Sequence, residues 1–81
     1  MMKSERHHKM TKVFYVLYCT TAEAYVYEER EDCWQFSSQE FATEFESEEE
    51  AKNVKAELEA AGFPSLTIFK MQQITKIVEE L

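Results

Sequence analysis

The chain is poor in the residues from which phosphate loops, metal sites and disulfide frameworks are built. It has a single glycine, Gly62, and a single proline, Pro64. A P-loop or a G-x-G-x-x-G turn needs several glycines to bring backbone close to phosphate, so nucleotide-cradling loops are excluded. Two cysteines, Cys19 and Cys33, are too few for a disulfide framework and do not form C-x-x-C. They are expected to be reduced thiols of an intracellular, cytoplasmic protein, with Cys19 buried and structural. The two histidines, His7 and His8, are adjacent near the N-terminus, and no Cys or His lies close enough in sequence to complete a zinc-type set. No apolar run approaches the roughly 18–20 residues of a membrane span, and the N-terminus lacks the apolar core of a secretory signal. With no nucleophile beside a base, the expectation is a non-enzymatic protein without catalytic residues, cofactor or metal.

What is abundant is negative charge on a chain that is still apolar enough to fold. The 81 residues carry a net charge of −7, yet 44% are hydrophobic and 14% aromatic, which separates the chain from disordered acidic tails. This length suits one domain with a modest core. The charge is uneven. Lys3, Arg6, Lys9 and Lys12 against Glu5 give residues 1–12 a sum of +3, leaving −10 on residues 13–81. An acidic body disfavours nucleic-acid phosphates and anionic membranes, and favours the basic surface of another protein.

The clearest local signal is Ser47 to Phe63. Ser47 is an N-cap, and Glu50 completes a capping box by reaching back to the cap's own amide. Glu48, Glu49 and Glu50 suit the positive end of the helix dipole. Ala51, Val54, Leu58 and Ala61 recur at helical spacing, predicting a main amphipathic helix over about 48–61. Gly62 fits a left-handed C′ residue, Phe63 folds back on Leu58, and Pro64 stops continuation.

Before the helix, residues 1–10 have no apolar period and read as a flexible basic lead to a single domain over 11–81; Met10-Thr-Lys-Val-Phe also reads as a start, with the preceding residues an extension. Val13 to Cys19 is apolar on both faces, as a strand in the middle of a small sheet would be. Thr20 to Glu23 is a turn, and Ala24 to Arg30 a second strand in an antiparallel hairpin. Glu28, Glu29, Glu31 and Asp32 form an acidic corner. It lacks the alternating ligands and the glycine of an oxygen-ligand metal loop, and suits a solvated turn or a guarded edge. Trp34 and Phe36 share one side of an extended segment, with Trp34 in the core or on its rim. Phe41, Thr43 and Phe45 suggest a short strand leading into Ser47. After the helix, Ser65 to Met71 alternates as a strand. Ile74, Ile77, Val78 and Leu81 then fit helical spacing, predicting a short C-terminal helix from about Gln73, against a continued strand in which Ile74, Lys76 and Val78 alternate.

These elements make a two-layer α+β domain, with a small antiparallel sheet of three to four strands and the main helix on one face. The order VFYVLYC, AYVYEE, Trp34, then Ala42-x-x-Phe45-x-Ser47-x-x-Glu50-Ala51 and a closing strand resembles small bacteriophage and bacterial α+β proteins over residues 12 to 71. The resemblance implies a protein that binds and blocks a host enzyme or defence complex. Independently of it, the acidic composition predicts contact charges at Glu28, Glu29, Glu31, Asp32, Glu44, Glu46, Glu48 and Glu49, with Tyr25, Tyr27 or Trp34 as aromatic anchors. The alternative is a homodimer, structural or regulatory, that associates through an aromatic sheet face.

Overall fold

The computed structural model describes residues 9–76. Four strands form one antiparallel sheet: β1 (Lys9–Cys19), β2 (Ala24–Arg30), β3 (Cys33–Ser37) and β4 (Leu66–Lys76), in the order β3-β2-β1-β4. The helix α1 (Glu48–Ala60) lies between β3 and β4 in sequence and packs on β1 and β4. The small α+β architecture is therefore the expected one, with four strands and β1 in the interior.

Alternation along the strands sorts the side chains into two layers. Leu17, Cys19, Val26, Phe45, Leu66, Ala51 and Leu58 form the core under α1, with Tyr15, Trp34, Val54, Phe63 and Ile68 packed around it. Val16, Tyr18, Tyr25 and Phe69 face the other way. β1 is apolar on both sides because both sides are used.

Both ends of α1 are closed by the residues that predicted it. The Glu50 N–H donates to Ser47 Oγ at 3.1 Å, and Ser47 is extended (φ −133°, ψ 153°) as an N-cap must be. The return bond differs from the expectation: Glu50 Oε1 accepts from the Glu46 N–H at 3.3 Å, one residue before the cap. At the other end, Gly62 has φ 108°, the Phe63 N–H donates to Leu58 O at 3.0 Å and the Gly62 N–H to Glu59 O at 3.1 Å, a Schellman pair. Ala51 and Leu58 are buried and Val54 half-buried, but Ala61 is exposed. Ala61 is the C-cap, and beyond it the turn at Gly62 hands the apolar stripe to Phe63.

Three other expectations are corrected. Lys9 and Met10, assigned to the lead, belong to β1, where their partners are Lys76 and Thr75. Backbone pairing with β4 extends the strand without any apolar period in its sequence. The predicted helix from about Gln73 is not formed as far as Lys76, because Gln73 to Lys76 pair with Lys12 to Lys9; its remainder lies outside the described residues. The short strand at Phe41 to Phe45 is instead a 3-10 turn, Gln39–Phe41, followed by one bridge between Tyr15 and Phe45. Its main-chain bonds are split between two strands, so no ladder forms.

One contact ties α1 to β4. The Leu66 N–H donates to Glu59 Oε2 at 2.8 Å, and Lys55 Nζ lies 3.5 Å from the same oxygen. The Leu66 bond, helped by Lys55 and opposed by partial desolvation, lowers the Glu59 pKa from its ordinary 4.5. A lowered carboxylate pKa contributes stability above the unfolded-state value, and that stability is lost as pH falls through the folded-state value. Chemical denaturation as a function of pH should therefore show the wild-type advantage over Glu59→Gln constant above about pH 4.5–5 and shrinking below it. Parallel pH profiles for the two proteins would contradict the assignment.

For the helix itself, Leu58→Ala should lower unfolding free energy by about 2–5 kcal/mol through cavity formation. Ser47→Ala should cost about 1 kcal/mol through loss of the cap. Urea midpoints equal to wild type for Leu58→Ala would mean that this stripe does not hold the core.

Candidate functional site

The candidate surface begins at the β2–β3 hairpin. Arg30 pairs with Cys33 across a turn of two residues, Glu31 and Asp32, and the register slips between Glu28 and Arg30. Asp32 takes φ 59°, a left-handed conformation that Asp tolerates better than most residues, and its N–H donates to Glu28 Oε2 at 3.0 Å. One acid of the corner thus closes the turn. Glu29, Glu31 and the Asp32 carboxylate remain exposed at its tip.

The second acidic group reaches this hairpin through Thr43. The Thr43 N–H donates to Val26 O at 3.1 Å, and Thr43 Oγ1 accepts from the Glu28 N–H at 2.8 Å. Two residues later Phe45 exchanges both main-chain bonds with Tyr15, at 2.9 and 2.8 Å. The segment is spliced between β2 and β1, and α1 starts immediately after it. The acids at Glu44, Glu46, Glu48 and Glu49 are consequently carried on backbone bonded to the strand that bears Glu28 and Glu29. All of these positions are exposed.

Two of these acids have a basic neighbour. Lys12 Nζ meets Glu44 Oε1 at 2.7 Å, and Lys52 Nζ meets Glu48 Oε2 at 3.2 Å, one helical turn along. Both pairs are well exposed, so each contributes at most ~1 kcal/mol and is screened by salt. Among the described residues, no three His, Cys, Asp or Glu side chains are grouped as a metal-ligand set.

The three proposed aromatic anchors divide between the two sheet faces. Trp34 lies on the α1 side, half-buried and stacked on Phe45 with ring centroids 6.3 Å apart, so it belongs to the rim of the core. Tyr25 lies on the opposite face, edge-on to Tyr18 at 4.8 Å, with Phe69 stacked on Tyr18 at 5.4 Å. Tyr27 is half-buried, two residues beyond Tyr25 on the same face. That face is only partly open. Gln39, Glu40, Ala42 and Glu44 border an open hollow of about 390 Å³ whose other lining is Phe14, Val16 and Met71. Ala42 and Val16 are both buried there.

Phe41, Tyr18 and Phe69 were not among the expected surface residues. Phe41 is the most exposed large apolar residue described, at 59%, on the 3-10 turn. Its place in an alternating run disguised it, whereas Tyr18 and Phe69 were legible from alternation, since each points away from the Leu17–Ile68 layer.

Comparison with family models, curated proteins and solved structures finds no match to this chain.

Thr43→Val should keep the segment's shape but lose the bond from the Glu28 amide. A fall of about 0.5–1.5 kcal/mol in stability, with faster hydrogen exchange at Glu28, is expected. Unchanged exchange there would mean that Thr43 does not seat the hairpin.

Proposed function

We propose that this chain is a non-enzymatic, acidic protein-binding module whose partner presents a basic surface. The observation that carries this reading is the exposure of all eleven acidic residues between Glu23 and Glu50, against Arg30 as the sole base in that stretch. Carboxylates on the hairpin tip and on the helix entry, held on one bonded framework through Thr43, suit lysine and arginine side chains that otherwise meet phosphates. The contact charges are Glu28, Glu29, Glu31 and Asp32 with Glu44, Glu46, Glu48 and Glu49. Tyr25 and Tyr27 are aromatic anchors on a neighbouring face, and Trp34 supports the hairpin from the core side. In keeping with the resemblance to small phage proteins, the proposed role is inhibition of a host defence or nucleic-acid-binding protein in the cytoplasm.

A second reading, self-association through the aromatic face, is favoured by the Tyr18–Tyr25–Phe69 cluster, in which Phe69 keeps 36% of its surface exposed. Salt separates the two, because charge pairing is screened and aromatic burial is not.

Reversal of Glu28, Glu29, Glu31 and Asp32 to lysine should abolish capture of a basic partner from host lysate while leaving the circular-dichroism spectrum intact. Raising salt should release the partner from the unmodified protein. Capture unaffected by salt and by reversal of both acidic groups would reject the electrostatic reading.

A further inference from the structure

The open hollow on the sheet face opposite α1 has an apolar floor and an acidic rim. Phe14 and Val16 lie on one side of β1 at a period of two, and Met71 stands beside Phe14 as its register partner on β4. Ala42, which is buried, adds only a methyl group to the wall. Glu40 and Glu44 line the same hollow from the segment between β3 and α1, and both are exposed. That wall is preformed. The Phe41 and Ala42 amides close the 3-10 turn, and Thr43 and Phe45 bond the segment to β2 and β1. With about 390 Å³, the hollow is at the small end of clefts that take ligands, roughly 300–1,000 Å³.

The chain's own Lys12 shows what the rim holds. It lies on the same side of β1 as Phe14, with Nζ 5.3 Å from the Phe14 ring centroid and 2.7 Å from Glu44 Oε1. An ammonium is thus held over a ring and against a carboxylate at the edge of the hollow. Both side chains of that pair are well exposed, so an incoming ammonium can exchange with Lys12 at little cost. Glu40 has no ion-pair partner among the described residues. With Lys12 counted against Glu40 and Glu44, the rim keeps one uncompensated negative charge. Such a rim turns anions away, and an apolar floor has nothing to offer a bare inorganic cation. The chemistry that fits both is an alkyl stem ending in an ammonium group.

We propose that this hollow is a socket for a lysine side chain of the basic partner. The stem lies on Phe14, Val16 and Met71, and the ammonium lies between the Glu40 and Glu44 carboxylates. The inference rests on the binding reading and deepens it, because it adds Glu40, Phe14 and Met71 to the contact residues and gives the surface a shaped subsite.

The test is an NMR titration of the full chain, followed at backbone amides and methyl groups. The probes are a capped tetralysine peptide and the same peptide acetylated on its lysines. The expected result is saturable shifts at Phe14, Val16, Ala42 and Met71 with tetralysine, and none with the acetylated peptide. Ala42→Leu fills the hollow without changing any charge, so it should remove those shifts while the hairpin amides at Glu29, Glu31 and Asp32 still respond. If that variant fails to fold, Glu40→Gln decides, since it alters only an exposed side chain. It should weaken tetralysine at the hollow by about two- to fivefold, with the hairpin response kept. Shifts confined to the hairpin and the helix entry overturn the proposal and leave the acidic reading standing. Equal shifts with the acetylated peptide also overturn it, as do hollow shifts that survive the substitutions unchanged. No saturable shift anywhere overturns the socket and the acidic reading together.

Discussion

The two main-chain hydrogen bonds between Tyr15 and Phe45 fix more of this molecule than their number suggests. β2 leaves β1 soon after the Tyr18–Tyr25 and Cys19–Ala24 pairs, and without a replacement the middle of β1 would bury bare peptide groups beside the core. Phe45 supplies that replacement. The same residue places its ring on Trp34 beneath α1, and it brings Ser47 to the point where the helix must begin. Backbone satisfaction, core packing and helix entry therefore meet at one position. Thr43 makes the corresponding connection to β2, so the segment is held from both sides by hydrogen bonds and not by side-chain packing alone.

That arrangement explains how a small acidic domain tolerates its charge. Like charges along one stretch repel, and a chain of this size has little stability in reserve. Among the described residues the carboxylates lie in turns, on the segment leading into α1 and along the helix, exposed or half-exposed, and no polar side chain is buried. Several of the acids also have local structural work. Glu28 closes the hairpin turn, Glu50 binds the Glu46 amide, and Glu59 caps the first amide of β4. The exposed remainder, with Glu29, Glu31 and Glu49 its least occupied members, has no such role within the chain. It is this remainder that the proposed basic partner would meet.

How much of this was legible in the sequence depends on whether the deciding forces are local. α1 was readable to within a residue because Ser47, Glu50, Gly62 and Phe63 act on neighbours a few positions away. β1 and β2 were readable from β-branched and aromatic content. The region after Gln73 was not, since Ile74, Ile77, Val78 and Leu81 satisfy one period and Ile74, Lys76 and Val78 the other; pairing with Lys9 to Lys12, some sixty residues distant, decides it as far as Lys76. Phe41 misled for the opposite reason. Its alternation with Thr43 and Phe45 is real, but the turn bonds from Phe41 to Ser38 and from Ala42 to Gln39 rotate it out to solvent. For the candidate surface, the sequence supplied the charges but not their connection, because nothing local reveals that Thr43 binds β2 at Glu28.

The division of aromatic residues between the faces carries the last step. Six-residue stretches rich in Phe, Tyr and Val are hazards when both faces and an edge are open, since they pair readily with copies of themselves. β1, the most apolar strand, is shielded by an interior position, by α1 on one face and by Ala42 on part of the other. β4 has the helix on one face but keeps Phe69 beside Tyr18 and Tyr25 on the other, next to an edge without a guard. Lys70 is the only charge in its first ten residues, and a lone lysine on a long flat edge is a weak deterrent. The opposite edge is guarded by acids and an irregular hairpin, so the two edges of one sheet differ in how open they are to pairing.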